Sequence, residues 1–503
     1  EEDTVRPLHV SDPPSRAVYL YCACAAWNSC IIGYDFGVNA LSVLLVQRTL
    51  DLSDLQISIY LGALDGFAML GAATASFINE RFGRRGCFIM TSFGFLCGDL
   101  IQASAQTYAQ LMVGRSILGV AIGWGLSIDP MYISEISPAS RRGFLVSWSE
   151  IGINVGVIFG FASGIVFYHT PDEYAWRYMY ASGAFLPIIM LVLVIFYMPE
   201  SPRWLLQKNR DDDARRVFST LYSGNEDKAE AETHNVKESI AKEEAAFQLG
   251  WRFLLCRPTP AYRRMLLAGI IAGISQQVVG ISAIGAFQVF VLDQSGIHDR
   301  YWQSLTLVGI FTIKSIVTFG SSRLIDSWGR RRLSFISIAG IVVSLLVLAA
   351  DFNLSSGATS SMAIIGLLGY MVSFAAGMGP VAWLVPAEVF TTSIRAKGNS
   401  MTTFCNRAVS TIMSSSFLEL QKAITWSGAF LVFAFLSIAM AVLIYIFVPE
   451  TSGRSLEDIA VYFASLTGDE SVLNHLESKN ASTNSNCGNQ KKRTSSSTIT
   501  SQE

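Results

Sequence analysis

The chain has 503 residues, 51% of them hydrophobic and only 15% charged, with a net charge of −2. A soluble domain carries about 25% charged residues. The composition therefore excludes an ordinary solvated surface, and the near-zero charge leaves no electrostatic footprint for nucleic acid.

The first sixteen residues are polar and hold three prolines, without the pattern of a cleavable signal peptide. Twelve apolar segments follow, at 17–46, 56–78, 86–106, 109–133, 144–168, 177–198, 264–292, 303–325, 333–350, 361–385, 399–420 and 426–448 (spans 1 to 12). Most hold about the 20 residues a helix needs to cross ~30 Å of hydrocarbon. Several carry glycine, serine or a lone charge, which suits helices that pack on one another or line a cavity. Between spans 6 and 7, "DDDARRVFSTLY" and "KEEAAFQL" read as short amphipathic helices. The tail beyond about 466 is polar and serine-rich, and is expected to be disordered.

Orientation follows from the basic residues. The short loops after spans 2, 4, 8 and 10 hold eleven: Arg81, Arg84, Arg85, Arg141, Arg142, Arg323, Arg330, Arg331, Arg332, Arg395 and Lys397. The loops after spans 1, 3, 5, 7, 9 and 11 hold four: Arg48, Arg177, Arg300 and Lys422. The positive-inside rule places the first set, and both termini, in the cytoplasm. The long charged segment 203–250 then falls inside, and the sequon Asn353-Leu354-Ser355 falls outside. The eight cysteines lie in spans or on the cytoplasmic side, so no extracellular disulfide is expected.

The chain repeats itself. "ERFGRR" at 80–85 returns as "DSWGRR" at 326–331, the pair Glu135 and Arg142 returns as Glu388 and Arg395, and "PESPR" at 199–203 returns as "PETSGR" at 449–454. The offsets are all near 250 residues. The sequence thus predicts an all-α membrane protein of twelve transmembrane helices in two six-helix halves of the same orientation. Its expected domains are a segment 1–16, halves 17–198 and 264–448, a cytoplasmic linker 199–263, and a tail 449–503. Parallel halves with a binding site between them are a transporter plan.

The ordered set "GYDFG" at 33–37, "PMYISEISPASRRG" at 130–143, "PESPRWL" at 199–205, "QQVVGIS" at 276–282, "GPVAW" at 379–383 and "PETSGRSLE" at 449–457 resembles the sugar-porter family of the major facilitator superfamily. "DLSDLQISIYLGAL" at 51–64, "SPASRRGFLVSWSEIGINVG" at 137–156 and Lys314 resemble its proton-coupled polyol and monosaccharide transporters of plants. The resemblance implies the major facilitator fold and alternating access with a sugar or polyol as substrate.

Asp35 is a carboxylate in an apolar run, a costly placement that marks a functional acid. Arg115 in span 4 is its natural partner: counted along the helices at 1.5 Å per residue, both lie in the external half of the membrane. The pair is expected to carry proton coupling. The resemblance agrees, since proton symporters of the family carry Asp in this first-span motif. Gln276 and Gln277 are two amides able to grip hydroxyls, and Trp383 resembles the family's sugar-stacking tryptophan, with Gly379 and Pro380 breaking the helix beside it. Ser282 stands where the family has asparagine, Glu150 where it has glutamine and Lys314 where it has asparagine. Glu150 and Lys314, one in each half, are expected to line the substrate site and to pair with each other. Asp65 is a further candidate for the cavity wall, Asp99 and Asp129 read as structural, and Arg407 reads as a snorkelling or gating charge near the start of span 11. Glu80, Arg84, Arg85, Glu135 and Arg142 in the first half, and Asp326, Arg330, Arg331, Glu388 and Arg395 in the second, read as ion-paired latches of a cytoplasmic gate.

The five histidines are scattered, and no phosphate loop or metal cluster appears, so neither enzyme nor cofactor nor metal is expected. The expected function is proton-coupled import of a monosaccharide or polyol. The alternatives are a passive uniporter and a non-transporting sugar sensor. The expected partners are the solute, a proton and the lipid bilayer. The protein is expected to work as a monomer, in the plasma membrane first, with vacuolar or plastid membranes as alternatives.

Overall fold

The computed structural model describes residues 15–138, 141–245, 251–354, 360–391, 394–452 and 456–469. Helix α1 (Arg16–Thr49) begins where the Ser15 side chain takes the amide of Val18. Helix α2 (Asp54–Ala103) opens on a capping box between Ser53 and Gln56. Fifty residues of helix would reach about 75 Å, more than twice the hydrocarbon core. The chain breaks at Gly83, where φ is 79° and ψ 176°. Positive φ favours glycine, and a Cβ there would also strike the Glu200 carboxylate. Helix α2 is therefore two crossings, spans 2 and 3.

Helix α3 (Tyr108–Ile136) forms span 4, α4 (Arg142–Val146) with α5 (Trp148–Val166) span 5, and α6 (Asp172–Gly183) with α7 (Phe185–Phe196) span 6. The linker holds α8 (Pro202–Gln207), α9 (Asp211–Leu221), α10 (Glu226–Ala245) and α11 (Trp251–Cys256). The first expected amphipathic helix is α9. The second is reached only by the end of α10, and residues 246–250 lie outside the described residues.

Helix α12 (Pro260–Val278) with α13 (Ile281–Gln294) makes span 7, α14 (Arg300–Trp328) span 8 and α15 (Arg330–Leu354) span 9. Span 10 is α16 (Ser360–Ser373), a π-helical turn over Phe374–Met378, and α17 (Gly379–Val389). The expected break at Gly379 and Pro380 is thus a distortion one turn earlier, after which the helix resumes with proline in its first turn, where a missing N–H costs nothing. Helix α18 (Arg395–Phe447) holds spans 11 and 12, divided at Thr425 with φ 68° and ψ 168°. A short helix, α19 (Leu456–Thr467), follows at the start of the tail, just before the part expected to be disordered. Residues 470–503 lie outside the described residues, as do 1–14.

Ten helical stretches among the described residues are long and apolar enough to cross a membrane, and α2 and α18 each do so twice. The polarity is that of a membrane bundle. Phe196, Val166 and Phe435 are 74%, 73% and 70% exposed on the outside, while Arg115, Asn154 and Gln277 are buried. Helices α1 and α5 approach closely through glycines: a Cβ on Gly156 would collide with the Cys30 carbonyl, and one on Gly160 would lie 2.6 Å from the Tyr34 carbonyl. Of the described cysteines, all are free thiols.

An even number of crossings puts both termini at one end of the bundle, the termini end, and leaves a far end opposite. At the far end the halves are tied together. Arg300 on α14 pairs with Asp172 at 3.0 Å and donates to the carbonyls of Phe167, Tyr168 and Thr170 beyond α5. Lys422 on α18 pairs with Asp54 on α2 at 2.8 Å.

Candidate functional site

The break in span 7 builds the site. Gly280 adopts φ 97°, and the ring of Phe433 fills the space a Cβ would need. The last turn of α12 thereby presents Gln276 and Gln277 to a cavity between the halves, and α13 brings Ser282 back to them. Tyr370 repairs part of the broken ladder by donating to the Val279 carbonyl at 3.0 Å. Ser282 donates to Gln277 Oε1 at 2.6 Å, and Ser410 donates to Ser282 at 2.7 Å. Gln277 Nε2 donates to Asn406 Oδ1 at 3.3 Å.

One cavity gathers all six expected substrate residues, Gln276, Gln277, Ser282, Trp383, Glu150 and Lys314. Trp383 is 38% exposed, a free aromatic face in the same cavity as the two glutamine amides. Glu150 and Lys314 face this space from opposite halves. The expected direct pair is not formed: no ion pair within 4.0 Å joins them. Instead the Lys314 ammonium lies 4.9 Å from the centre of the Phe311 ring and 5.7 Å from that of Phe374. Two π faces are its close partners, and the Glu150 carboxylate, beyond ion-pair distance, still acts on it by charge across the cavity.

Asp35 and Arg115 meet beside this cavity, Oδ2 to Nη1 at 3.7 Å, with both residues almost fully buried. Neither of these two atoms makes a hydrogen bond. Each residue has other anchors. Asn39 donates to Asp35 Oδ1 at 2.7 Å. Arg115 Nε donates to the Tyr60 carbonyl at 3.2 Å, and its guanidinium lies 4.5 Å from the centre of the Tyr60 ring. The Tyr60 hydroxyl reaches Asn39, Gln102 and Tyr180, so the pair sits in a polar network spanning α1, α2, α3 and α6. Asp129 accepts from Asn28 and Ser29, which ties α3 to α1.

The gate residues form two matching clasps at the termini end. Arg84 donates from Nε and Nη2 to both oxygens of Glu135, at 2.9 and 2.6 Å. Glu200 accepts from the amides of Arg84 and Arg85, while the Arg85 guanidinium holds the carbonyls of Val194 and Ile195. Burial raises the Glu200 carboxyl above its ordinary value, and these amides pull the other way. In the second half, Arg330 pairs with Glu388 at 2.9 Å, Glu450 accepts from the amides of Arg330 and Arg331, and Arg331 holds the Tyr445 carbonyl. Arg395 donates to the Phe390 carbonyl. Glu80 accepts from Ser76, and Arg142 is exposed at the start of α4. The Asp326 side chain lies outside the described part of the structure. Both clasps lie within a single half. Among the described residues, the ion pairs that join the halves are Arg300–Asp172, Lys422–Asp54 and Arg407–Asp65.

The last of these was not expected. Arg407 lies twelve residues into α18, about 18 Å from its start, and so at mid-depth rather than at the rim. It pairs with Asp65 at 3.2 Å, and both line the cavity. The two residues are 342 apart in sequence. The only sign of the pair in the chain is that each is a lone charge, of opposite sign, within an apolar span.

Twelve helices in two halves, with a polar cavity at their interface and a repeated clasp at one end, define a membrane transporter of the major facilitator fold. The chain belongs to the sugar (and other) transporter family, whose model matches residues 21–463. It is 34% identical over 472 residues to polyol transporter 5 of Arabidopsis thaliana, covering 90% of this chain and 87% of the relative. It is 30% identical over 451 residues to the glucose transporter GlcP of Staphylococcus epidermidis, covering 90% and 98%. Among solved structures, it resembles the proton:xylose symporter XylE of E. coli bound to 6-bromo-6-deoxy-D-glucose. That likeness has a TM-score of 0.75 at 22% identity, covering 89% of this chain and 99% of the other.

Proposed function

We propose that the chain imports a polyol or monosaccharide together with a proton, by alternating access, with Asp35 as the proton carrier. The observation that carries this reading is the loose pair of Asp35 and Arg115 beside the cavity, 3.7 Å apart and joined by charge without a hydrogen bond. A deprotonated Asp35 is drawn to Arg115. A protonated Asp35 is neutral, and Arg115 can then rest on the Tyr60 ring and carbonyl that already hold it. Phe36 and Asn39, on the same helix as Asp35, line the cavity, so proton state is felt where substrate binds. Gln276, Gln277 and Ser282 take the hydroxyls, Trp383 packs the C–H face, and Glu150 and Lys314 set the polarity of the opposite walls. The names of the relatives support a polyol or hexose as solute. The clasps of Arg84 with Glu135 and Arg330 with Glu388 keep each half rigid as the halves rock. The protein acts as a monomer with both termini in the cytoplasm, in the plasma membrane.

Uptake into liposomes tests it. One pH unit of inward gradient supplies about 1.4 kcal/mol, enough for about tenfold accumulation at one proton per solute. Wild type is expected to concentrate a labelled polyol or hexose when the outside is acid. Asp35→Asn is expected to lose accumulation while still exchanging labelled for unlabelled solute. Accumulation by Asp35→Asn equal to wild type would overturn the proposal.

A further inference from the structure

Helices α2 and α18 meet across the two halves in a graded contact. At the far tip Asp54 pairs with Lys422. About two turns inward Gly62 lies against Ser415, close enough that a Cβ on Gly62 would sit 3.0 Å from that of Ser415, and a turn further on Gly66 lies against Thr411. Beside Gly66, Asp65 meets Arg407 at the wall of the cavity, where both are more than nine-tenths buried. Along these helices, theirs is the cross-half ion pair that lines the cavity.

Arg407 is also held from the substrate side. Its Nε and Nη2 donate to Asn406 Oδ1 at 3.0 and 2.7 Å, and that oxygen also accepts from Gln277. Asn406 in turn donates to the Gly273 carbonyl on α12 at 2.6 Å. On the other side, Asp65 Oδ2 accepts from Ser414 at 3.4 Å. A chain of direct contacts thus runs from Ser282 through Gln277, Asn406 and Arg407 to Asp65, from the hydroxyl-binding groups of one half to a carboxylate of the other.

We propose that Asp65 and Arg407 form the inner clamp of the far end. Asn406 orients the clamp, and the halves cannot part on that side until the ion pair breaks. This rests on the reading of the protein as an alternating-access transporter. The physics is asymmetric. With both partners present, each charge is neutralised across the interface. With one removed, the other is a buried, uncompensated charge that gains by meeting water, and opening the far end supplies that water. Asp65 and Arg407 are positioning residues here. They bias which side the cavity faces and need not touch solute. Because Asn406 Oδ1 is shared by Gln277 and Arg407, a solute hydroxyl that claims Gln277 changes the hold on Arg407, which links occupancy to release of the clamp.

The test reads conformation without transport. Spin labels at Ser53 and Ala423, exposed on opposite halves at the far end, report the separation of the halves in detergent or nanodiscs. Asp65→Asn and Arg407→Gln are each expected to raise the ratio of long to short distances about tenfold or more, the shift that about 1.4 kcal/mol produces. Asn406→Leu is expected to raise it by less. Asp65→Glu keeps the charge and is expected to stay near wild type, an outcome a merely steric role would not give. Unchanged distances in both Asp65→Asn and Arg407→Gln would overturn the proposal, as would an Asp65→Glu protein as open as Asp65→Asn. Since the labels need neither solute nor proton gradient, a failed uptake assay sinks the functional reading alone, and unmoved labels sink the clamp alone.

Discussion

Single residues were legible where their chemistry clashed with their neighbours. Asp35, Gln276, Gln277 and Lys314 stand out because a membrane helix has no reason to hold them unless they face something polar, and the structure puts Gln276, Gln277 and Lys314 on one cavity, with Asp35 beside it. Their partners were less legible. Lys314 was expected to pair with Glu150 but lies over Phe311, one turn before it on α14, and over Phe374 of span 10, which no spacing in the chain connects to it. Arg407 was read as a rim charge because nothing in sequence connects it to Asp65. The state of Lys314 yields a prediction. A buried cation whose carboxylate lies beyond direct contact is expensive to the fold. Lys314→Met, close in volume and apolar, is therefore expected to leave the melting temperature unchanged or to raise it, while raising the KM for solute about tenfold. Scanning fluorimetry with an uptake titration separates the two. A lower melting temperature with an unchanged KM would make Lys314 a structural residue.

At the scale of elements, the number of crossings was readable from hydropathy and their outline from the three repeats. The breaks at Gly83 and Thr425 fall in the gaps expected between spans 2 and 3 and between spans 11 and 12, but the split of span 7 at Gly280, directly after the glutamines, was not read. Glycine is too common in membrane helices for any one of them to announce positive φ. Short α19 was missed for a different reason: its apolar face is too short to read as a span. The contact between α1 and α5 carries this scale's prediction. A side chain at Gly156 meets the backbone oxygen of Cys30, and backbone cannot rotate away as a side chain can. Gly156→Val is expected to cost more than the roughly 1–3 kcal/mol of ordinary overpacking. It should appear as loss of the monodisperse peak in size-exclusion chromatography and a lower melting temperature. Gly309→Val, with open space around it, should change neither. Equal behaviour of the two variants would mean that the close packing of α1 on α5 does not matter to stability.

For the whole molecule, the ion pairs that join the halves among the described residues lie at the far end and at mid-depth, while the clasps at the termini end each stay within one half. The sequence showed the clasp residues and suggested a gate, but charge alone could not say whether a pair forms within a half or between halves. A molecule closed at the far end that works by alternating access must open there in every cycle. Gly62 and Ser415 let that be tested, because their Cβ positions fall 3.0 Å apart, short of the roughly 3.5–4.5 Å of a disulfide by an amount that a small parting of the helices supplies. In a background without the native cysteines, Gly62→Cys with Ser415→Cys is expected to cross-link on mild oxidation. Oxidation should remove uptake, and a reductant should restore it. Each single variant should transport with or without oxidant. Locking the far end shuts one entrance only, so solute binding from the termini end should survive in the oxidised protein. A fully cross-linked protein that still carries solute across the membrane would show that the halves need not part between α2 and α18. The rocking of the two halves about a central cavity would then be the wrong picture of transport.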